Sequence, residues 1–267
     1  MSGSRRWFGA ALFLALATVL TFLTLPIVAI FVDSSPATLL ASLGEEGVLD
    51  ALRLSLLCTA TAVVVIVVVG TPAAYLLATR RFRGRSTIVT LIELPLVLPP
   101  AVAGIGLLAA LGPNGLLGGW VTDLGLELVL STAGVIVALI FVSAPFYLRQ
   151  AQSAFEAVDA TWLDASRTLG ASEARTFFAV AIPTSSVGLV SGVALAWGRA
   201  LGEFGATLMF AGSFRGVTQT APLAIYERFA NNFTSALALS AVLVAVSAAL
   251  LLTIKLLTGT AWLNAAR

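Results

Sequence analysis

The chain contains no histidine, a single cysteine and a single lysine, and only 10% of its residues are charged. Without imidazole there is no Ser-His-Asp triad, no HExxH zinc site and no histidine general base. Cys58 lies alone in an apolar run, so neither an internal disulfide nor a cysteine-cluster metal site can form. Lys255 is followed by Leu256, whereas a Walker A phosphate loop requires G-x-x-x-x-G-K-[ST]. No cluster of acid, base and nucleophile is visible, so no catalytic residue and no metal ligand set is assigned, and an enzyme is not expected.

What is abundant is apolar: 59% of the residues are hydrophobic and the mean hydropathy is +1.01. Soluble domains carry about 25% charged residues. A core could not absorb this much apolar surface, so the solvent for most of the chain is lipid. Six apolar stretches, at 7–32, 50–78, 88–111, 131–149, 186–211 and 236–258, are long enough to cross about 30 Å of hydrocarbon at about 1.5 Å per residue. The predicted fold is therefore all-α: a polytopic membrane protein of six transmembrane helices, with 1–267 forming a single transmembrane domain.

The charges give the orientation. Arg5 and Arg6 precede the first span; Arg80, Arg81, Arg83 and Arg85 fill the second loop; Arg149, Arg167 and Arg175 fall in the fourth; Lys255 and Arg267 lie near the end. The other loops hold Asp33, Glu45, Glu46, Asp50, Asp123 and Glu127, with Arg53, Arg215 and Arg228 as exceptions. By the positive-inside rule both termini and the 150–185 loop face the cytoplasm of a cell membrane. The pI of 9.1 thus reflects topology rather than a nucleic-acid partner. Arg5-Arg6 ahead of an apolar run looks like a twin-arginine export signal. The run is too long for one, and no convincing small-x-small cleavage site precedes Asp33, so a retained first helix is expected.

The polar 150–185 loop predicts two short helices. Phe155, Val158, Trp162, Ala165 and Leu169 recur at helical spacing over 150–169, an amphipathic stripe. Gly170 follows where a left-handed C-cap is needed. Ser172 can cap a second helix with Glu173 at its positive end, and Pro183 sits before the fifth span, able to set its entry angle. An exposed apolar stripe of this kind suits a partner's groove, or a lipid surface.

Two further stretches stand out. Glu93-Leu94-Pro95 and Pro99-Pro100 either break the third span at membrane depth or mark a helix start. In the fifth, Arg199 and Glu203 are four residues apart and share a helix face, with Glu93 a further candidate partner for Arg199. They read as the lining of an anion path or as an ion pair locking the helix to its neighbours. Gly198, Gly202 and Gly205 offer a small face for close packing.

The stretch Asp164-Ala165-Ser166 with Gly170 and Ile182-Pro183 resembles the EAA loop of type I ABC importer permeases. Asp164 stands for the usual glutamate and Ser166 for the second alanine. "ELPLVLPPAVAGIGLL" and "RALGEFGATLMFAG" are similar to the oxyanion branch of that family, and Thr218-Gln219-Thr220 through Tyr226 is most similar to its molybdate/tungstate members. The resemblance implies the permease fold and a homodimer. It also implies a coupling role for Trp162, Asp164, Ala165, Ser166, Gly170 and Pro183; Pro95, Pro99, Pro100, Gly202 and Gly205 are, from their residue types, candidates for helix breaks or a gate. The partners would be ABC ATPase subunits, which bind ATP and Mg in place of this chain, and an extracytoplasmic oxyanion-binding protein. Its relatives include sulfate/thiosulfate permeases. An ATPase-independent secondary transporter or channel is the alternative from another class; it would show inverted repeats and more ionisable residues at the midplane.

Overall fold

The computed structural model describes residues 2–32 and 36–265; Asp33 and Arg267, part of the charge pattern, lie outside them. Helices α1 (Ser2–Val32) and α2 (Pro36–Leu43) precede α3 (Val48–Thr79). After them come α4 (Arg85–Val97), α5 (Pro100–Leu111), the short α6 (Gly118–Asp123) and the long α7 (Thr132–Glu156). Then α8 (Ala160–Thr168) and α9 (Glu173–Thr176) lead through a π-helical segment, Phe177–Ala181, into α10 (Ile182–Leu201). Helices α11 (Gly205–Ala211), α12 (Ala221–Asn231) and α13 (Phe233–Ala265) follow.

Five described stretches are long and apolar enough to cross a membrane: Trp7–Val32, Val48–Thr79, Thr132–Glu156, Glu173–Leu201 and Phe233–Ile254. Arg85 on the far side of the α3 end binds Glu156 at the end of α7 at 2.7 Å, so α3 and α7 both finish on the arginine-rich side. The chain between them must cross back, and the α4–α5 pair makes that sixth passage. It does so with a bend of 118°. The expected continuous span at 88–111 is thus two helices. Pro99 has no N–H to extend α4, and the residue before a proline is pushed out of the helical region. Leu98 is accordingly extended at ψ 131, and Pro100 starts α5 in the first-turn position that suits it.

Two other boundaries differ from the sequence expectation. The fifth span ends at Leu201 rather than 211, because the backbone leaves the helix at Gly202 and restarts at Gly205. The fourth span runs to Glu156 rather than 149, so 150–169 is not one helix. Residues 150–156 continue α7 because Ala151, Gln152 and Phe155 are buried on its packed face. The separate α8 begins where Asp159 caps it.

Helix α7 is central, flanked by α3 and α10. Lipid tails are as apolar as leucine, so these helices gain by close packing rather than by escape from water. Alanine dominates the contact surfaces: Ala62, Ala74, Ala138, Ala151, Ala196, Ala200 and Ala206 are buried. Helix α1 rests on α13 and exposes Trp7, Phe13, Phe22 and Leu25. A helix apolar all round belongs in lipid.

On the acidic side, the exceptions Arg215 and Arg228 are neutralised. Arg215 Nη2 binds Glu227 at 2.7 Å and Arg228 Nε lies 3.4 Å from Glu45. The hydrogen bond from Arg215, helped by one from Gln219, holds the Glu227 carboxyl below its ordinary range against partial desolvation.

Candidate functional site

Two places gather the residues singled out by the sequence. The first is the turn on the arginine-rich side. Helix α8 starts because the Asp159 carboxylate accepts from Thr161 N at 2.9 Å, and this bond lowers the Asp159 pKa. The cap is complete above the ordinary carboxylate range and is lost as pH falls through the lowered value. The helix ends in a Schellman pair: Ala171 N donates to Ser166 O (3.1 Å) and Gly170 N to Arg167 O (2.9 Å), with Gly170 at φ +83°. Ser172 Oγ then accepts from Arg175 N at 3.2 Å to start α9.

Leu163 anchors α8 to a cluster that includes Phe155 and Ala181. Beneath it the Tyr75 ring packs on Phe155 and Phe177, with centroids 5.3 and 4.8 Å apart. The predicted stripe divides accordingly. Phe155 belongs to α7 and is buried, whereas Trp162 and Leu169 are 57% and 88% exposed beside the exposed Ala165 and Asp164.

Arg167 closes the turn. Its Nη1 reaches Asp164 Oδ1 at 2.9 Å, while Nε and Nη2 form a fork on Glu173 at 2.9 and 3.2 Å. Glu173 also approaches Arg80 at 3.7 Å, bringing the α3–α4 loop alongside. Ser166 does more than substitute for a small residue: its hydroxyl pairs at 3.0 Å with that of the buried Thr176. Sequence reading missed Leu163, Arg167, Glu173 as a clamp, and Thr176. The i,i+3 spacing of Asp164 and Arg167 was a usable signal, whereas a bond across a glycine turn has no period.

Pro183 lies inside a continuous helical run, not ahead of it. The π segment absorbs it: Ile182 N donates to Phe177 O, and Thr184 Oγ1 donates to Val180 O and, at 3.2 Å, to Ala181 O.

An added Cβ at Gly170 would meet nothing within 4 Å, so only the backbone conformation requires glycine. Gly170→Asn, which tolerates the left-handed region, should keep most transport activity, and Gly170→Val should lose most of it at unchanged membrane abundance. Equal activity of the two variants in an uptake assay would contradict this account of the turn.

The second place is where the two broken helices meet. A Cβ on Gly205 would lie 2.8 Å from Pro100 Cβ, and one on Gly104 would lie 2.7 Å from both Ala206 O and Met209 Cβ. Pro99, Pro100 and Gly205 are therefore brought together, with Pro95 one turn back in α4. Gly198 and Gly202 do not join this packing; they are exposed, and Gly198 has open space where a Cβ would be.

At the α10–α11 break, Glu203 Oε1 accepts from Ala206 N at 2.7 Å. Arg199 Nη1 sits 2.5 Å from Oε2, a close ion contact without hydrogen-bond alignment. Glu93 does not join them. It binds Arg149 Nε at 2.8 Å, because α4 lies against the arginine-rich end of α7. The Thr218-Gln219-Thr220 stretch is buried loop packing: Phe214 N donates to Thr218 Oγ1 at 2.9 Å, and Gln219 reaches Glu227.

The chain is similar to several transport proteins over nearly its whole length. It is 40% identical over 233 residues to the molybdenum transport system permease protein ModB of Mycobacterium tuberculosis, covering 87% of this chain and 88% of that one. It is 34% identical to the molybdate/tungstate transport system permease protein WtpB of Pyrococcus abyssi, covering 94% and 96%. To the sulfate transport system permease protein CysW of Synechocystis it is 32% identical, covering 91% and 89%. Its fold matches the crystal structure of a bacterial alginate ABC transporter in complex with an alginate pentasaccharide-bound periplasmic protein, with a TM-score of 0.73 at 16% identity over 96% of this chain and 93% of that one. Residues 66–264 match the binding-protein-dependent transport system inner membrane component family, and with the broken helices and the capped turn in place, the chain is a multi-pass membrane permease of that family.

Proposed function

We propose that this permease imports molybdate or tungstate across a prokaryotic cell membrane, driven by a separate ATPase. The observation that carries the energy coupling is α8: a capped, clamped helix that holds Trp162 and Leu169 out of the protein on the arginine-rich side. Large apolar side chains fixed in this way fit a groove on a partner. By the charge rule this side is the cytoplasm, which also places both termini there. The ATPase binds ATP and Mg. When it closes on nucleotide it moves α8, and the π segment passes the motion into α10.

The substrate reading rests on the likeness to molybdenum and molybdate/tungstate permeases. An extracytoplasmic binding protein delivers the oxyanion to the acidic side. Two copies of the chain enclose the path, giving one coupling helix to each of two nucleotide sites, and the Pro99-Pro100 and Gly202–Gly205 breaks form its gate. Unwound backbone at membrane depth belongs beside such a path. Arg199 lines the path, backed by the buried Glu203; Glu93, paired with Arg149, is structural. The likeness to CysW keeps sulfate as a second reading.

Cells lacking their own oxyanion importers, given this chain with the ATPase and binding protein encoded beside it, should accumulate labelled molybdate and should fail to do so without the ATPase. Sulfate accumulation instead would overturn the substrate, and uptake without the ATPase would overturn the energy source.

A further inference from the structure

The Arg199–Glu203 pair is unequal: the arginine side chain is 28% exposed and the glutamate 0%. Glu203 is also tethered, since Oε1 accepts from Ala206 N at 2.7 Å. The arginine alone has a free side. Its depth follows from the neighbouring Trp197, whose Nε1 donates to Thr59 Oγ1 at 3.2 Å. Thr59 lies 20 residues, about 30 Å, from the cytoplasmic end of α3 at Thr79. The helix is about 48 Å long, so the pair sits in the outer half of the membrane. A guanidinium facing lipid there is costly, so its free side faces protein or water.

Resting on the oxyanion-importer reading, we propose that Arg199 contacts the passing anion and that Glu203 is its exchange partner. The arriving divalent tetrahedral oxyanion takes the guanidinium from the carboxylate, and the carboxylate takes it back as the anion moves inward. The planar arginine fork matches two oxygens of such an anion. An unopposed arginine in this low-dielectric position would hold a dianion too tightly for transport. A tethered carboxylate 2.5 Å away competes at every moment and keeps the contact short-lived. The exchange moves no proton and forms no bond. It sets the residence time of the anion, and it favours a divalent anion, which can outcompete one carboxylate, over a monovalent one.

The test uses the full complex with its ATPase and binding protein in vesicles, with labelled molybdate and, in parallel, labelled sulfate. Glu203→Gln keeps the oxygen that Ala206 N needs and removes the counter-charge. It should lower turnover at least ten-fold and leave labelled anion retained on the washed complex. Adding Arg199→Gln to it should abolish retention and recover most of the lost turnover. If the pair only locks the helices together, Glu203→Gln retains no anion and the double variant is no better than the single; either result overturns the exchange. Failure of the wild-type complex to take up either anion would overturn the importer reading itself. Uptake of sulfate alone would leave the exchange to be judged with sulfate by the same criteria.

Discussion

Gly104→Ala should reduce transport by an order of magnitude and lower the thermal midpoint of the purified complex. One methyl group is enough because its place is already taken. The new Cβ would sit 2.7 Å from the Ala206 carbonyl oxygen and 2.7 Å from Met209 Cβ. The first of these is backbone, which has no rotamer to yield, so α5 and α11 would have to separate. Overpacking of this kind costs about 1–3 kcal/mol. Gly106→Ala, two residues along the same helix, is the control. Its Cβ would meet nothing within 4 Å, and alanine is the better helix former by about 1 kcal/mol. It should leave stability unchanged or slightly raised. If the two substitutions behave alike in a thermal-shift and uptake comparison, the α5–α11 contact is not what holds the broken helices together.

Trp162→Glu should release the ATPase while leaving the permease folded. The indole is 57% exposed in the isolated chain, so little of its packing is spent on the fold. Buried tryptophans at interfaces commonly contribute about 2 kcal/mol or more, and a charge in their place adds desolvation. Association measured by co-purification should fall about thirty-fold or more, and uptake should fall with it at unchanged membrane abundance. The neighbouring Leu163→Ala should do the opposite. Leu163 is buried in the cluster beneath α8, so its truncation costs about 2–5 kcal/mol of stability before any loss of partner binding. Should Trp162→Glu lower abundance and leave co-purification intact, α8 is not the docking surface.

The membrane class, the six passages and the position of the turn were legible in the sequence because each rests on a long-range pattern: apolar length, arginine distribution and glycine placement. The breaks were less so. Pro99-Pro100 announces a change of direction, but only the structure shows that the direction changes by 118°. Around Gly202–Phe204 the flanking apolar residues outweigh Arg199 and Glu203 and carry the expected span to 211; the helix ends at Leu201 instead, ahead of Gly202, and the Glu203 side chain reaches Ala206 N across the break. The same hydropathic blindness placed the end of the fourth span at Arg149, where the charge begins, although the buried Gln152 and Phe155 carry α7 on to Glu156. The sequence offers Glu93 as a further partner for Arg199, but it binds Arg149; both arginines are distant from it in sequence, and only packing distinguishes them. Spacing within a helix was readable; contact between helices was not.

The π segment at Phe177–Ala181 houses one residue more than an α-helix of the same rise. The rotational setting of the whole cytoplasmic turn about the α10 axis is therefore encoded in chain length between Thr176 and Pro183, not in any side chain. Loss of a single residue there would regularise the helix and swing α8 by about 100°, carrying Trp162 and Leu169 to another compass bearing. A chain built this way admits neither insertion nor deletion in this stretch, and Phe177 and Ala181 are fixed as well by their packing beneath α8.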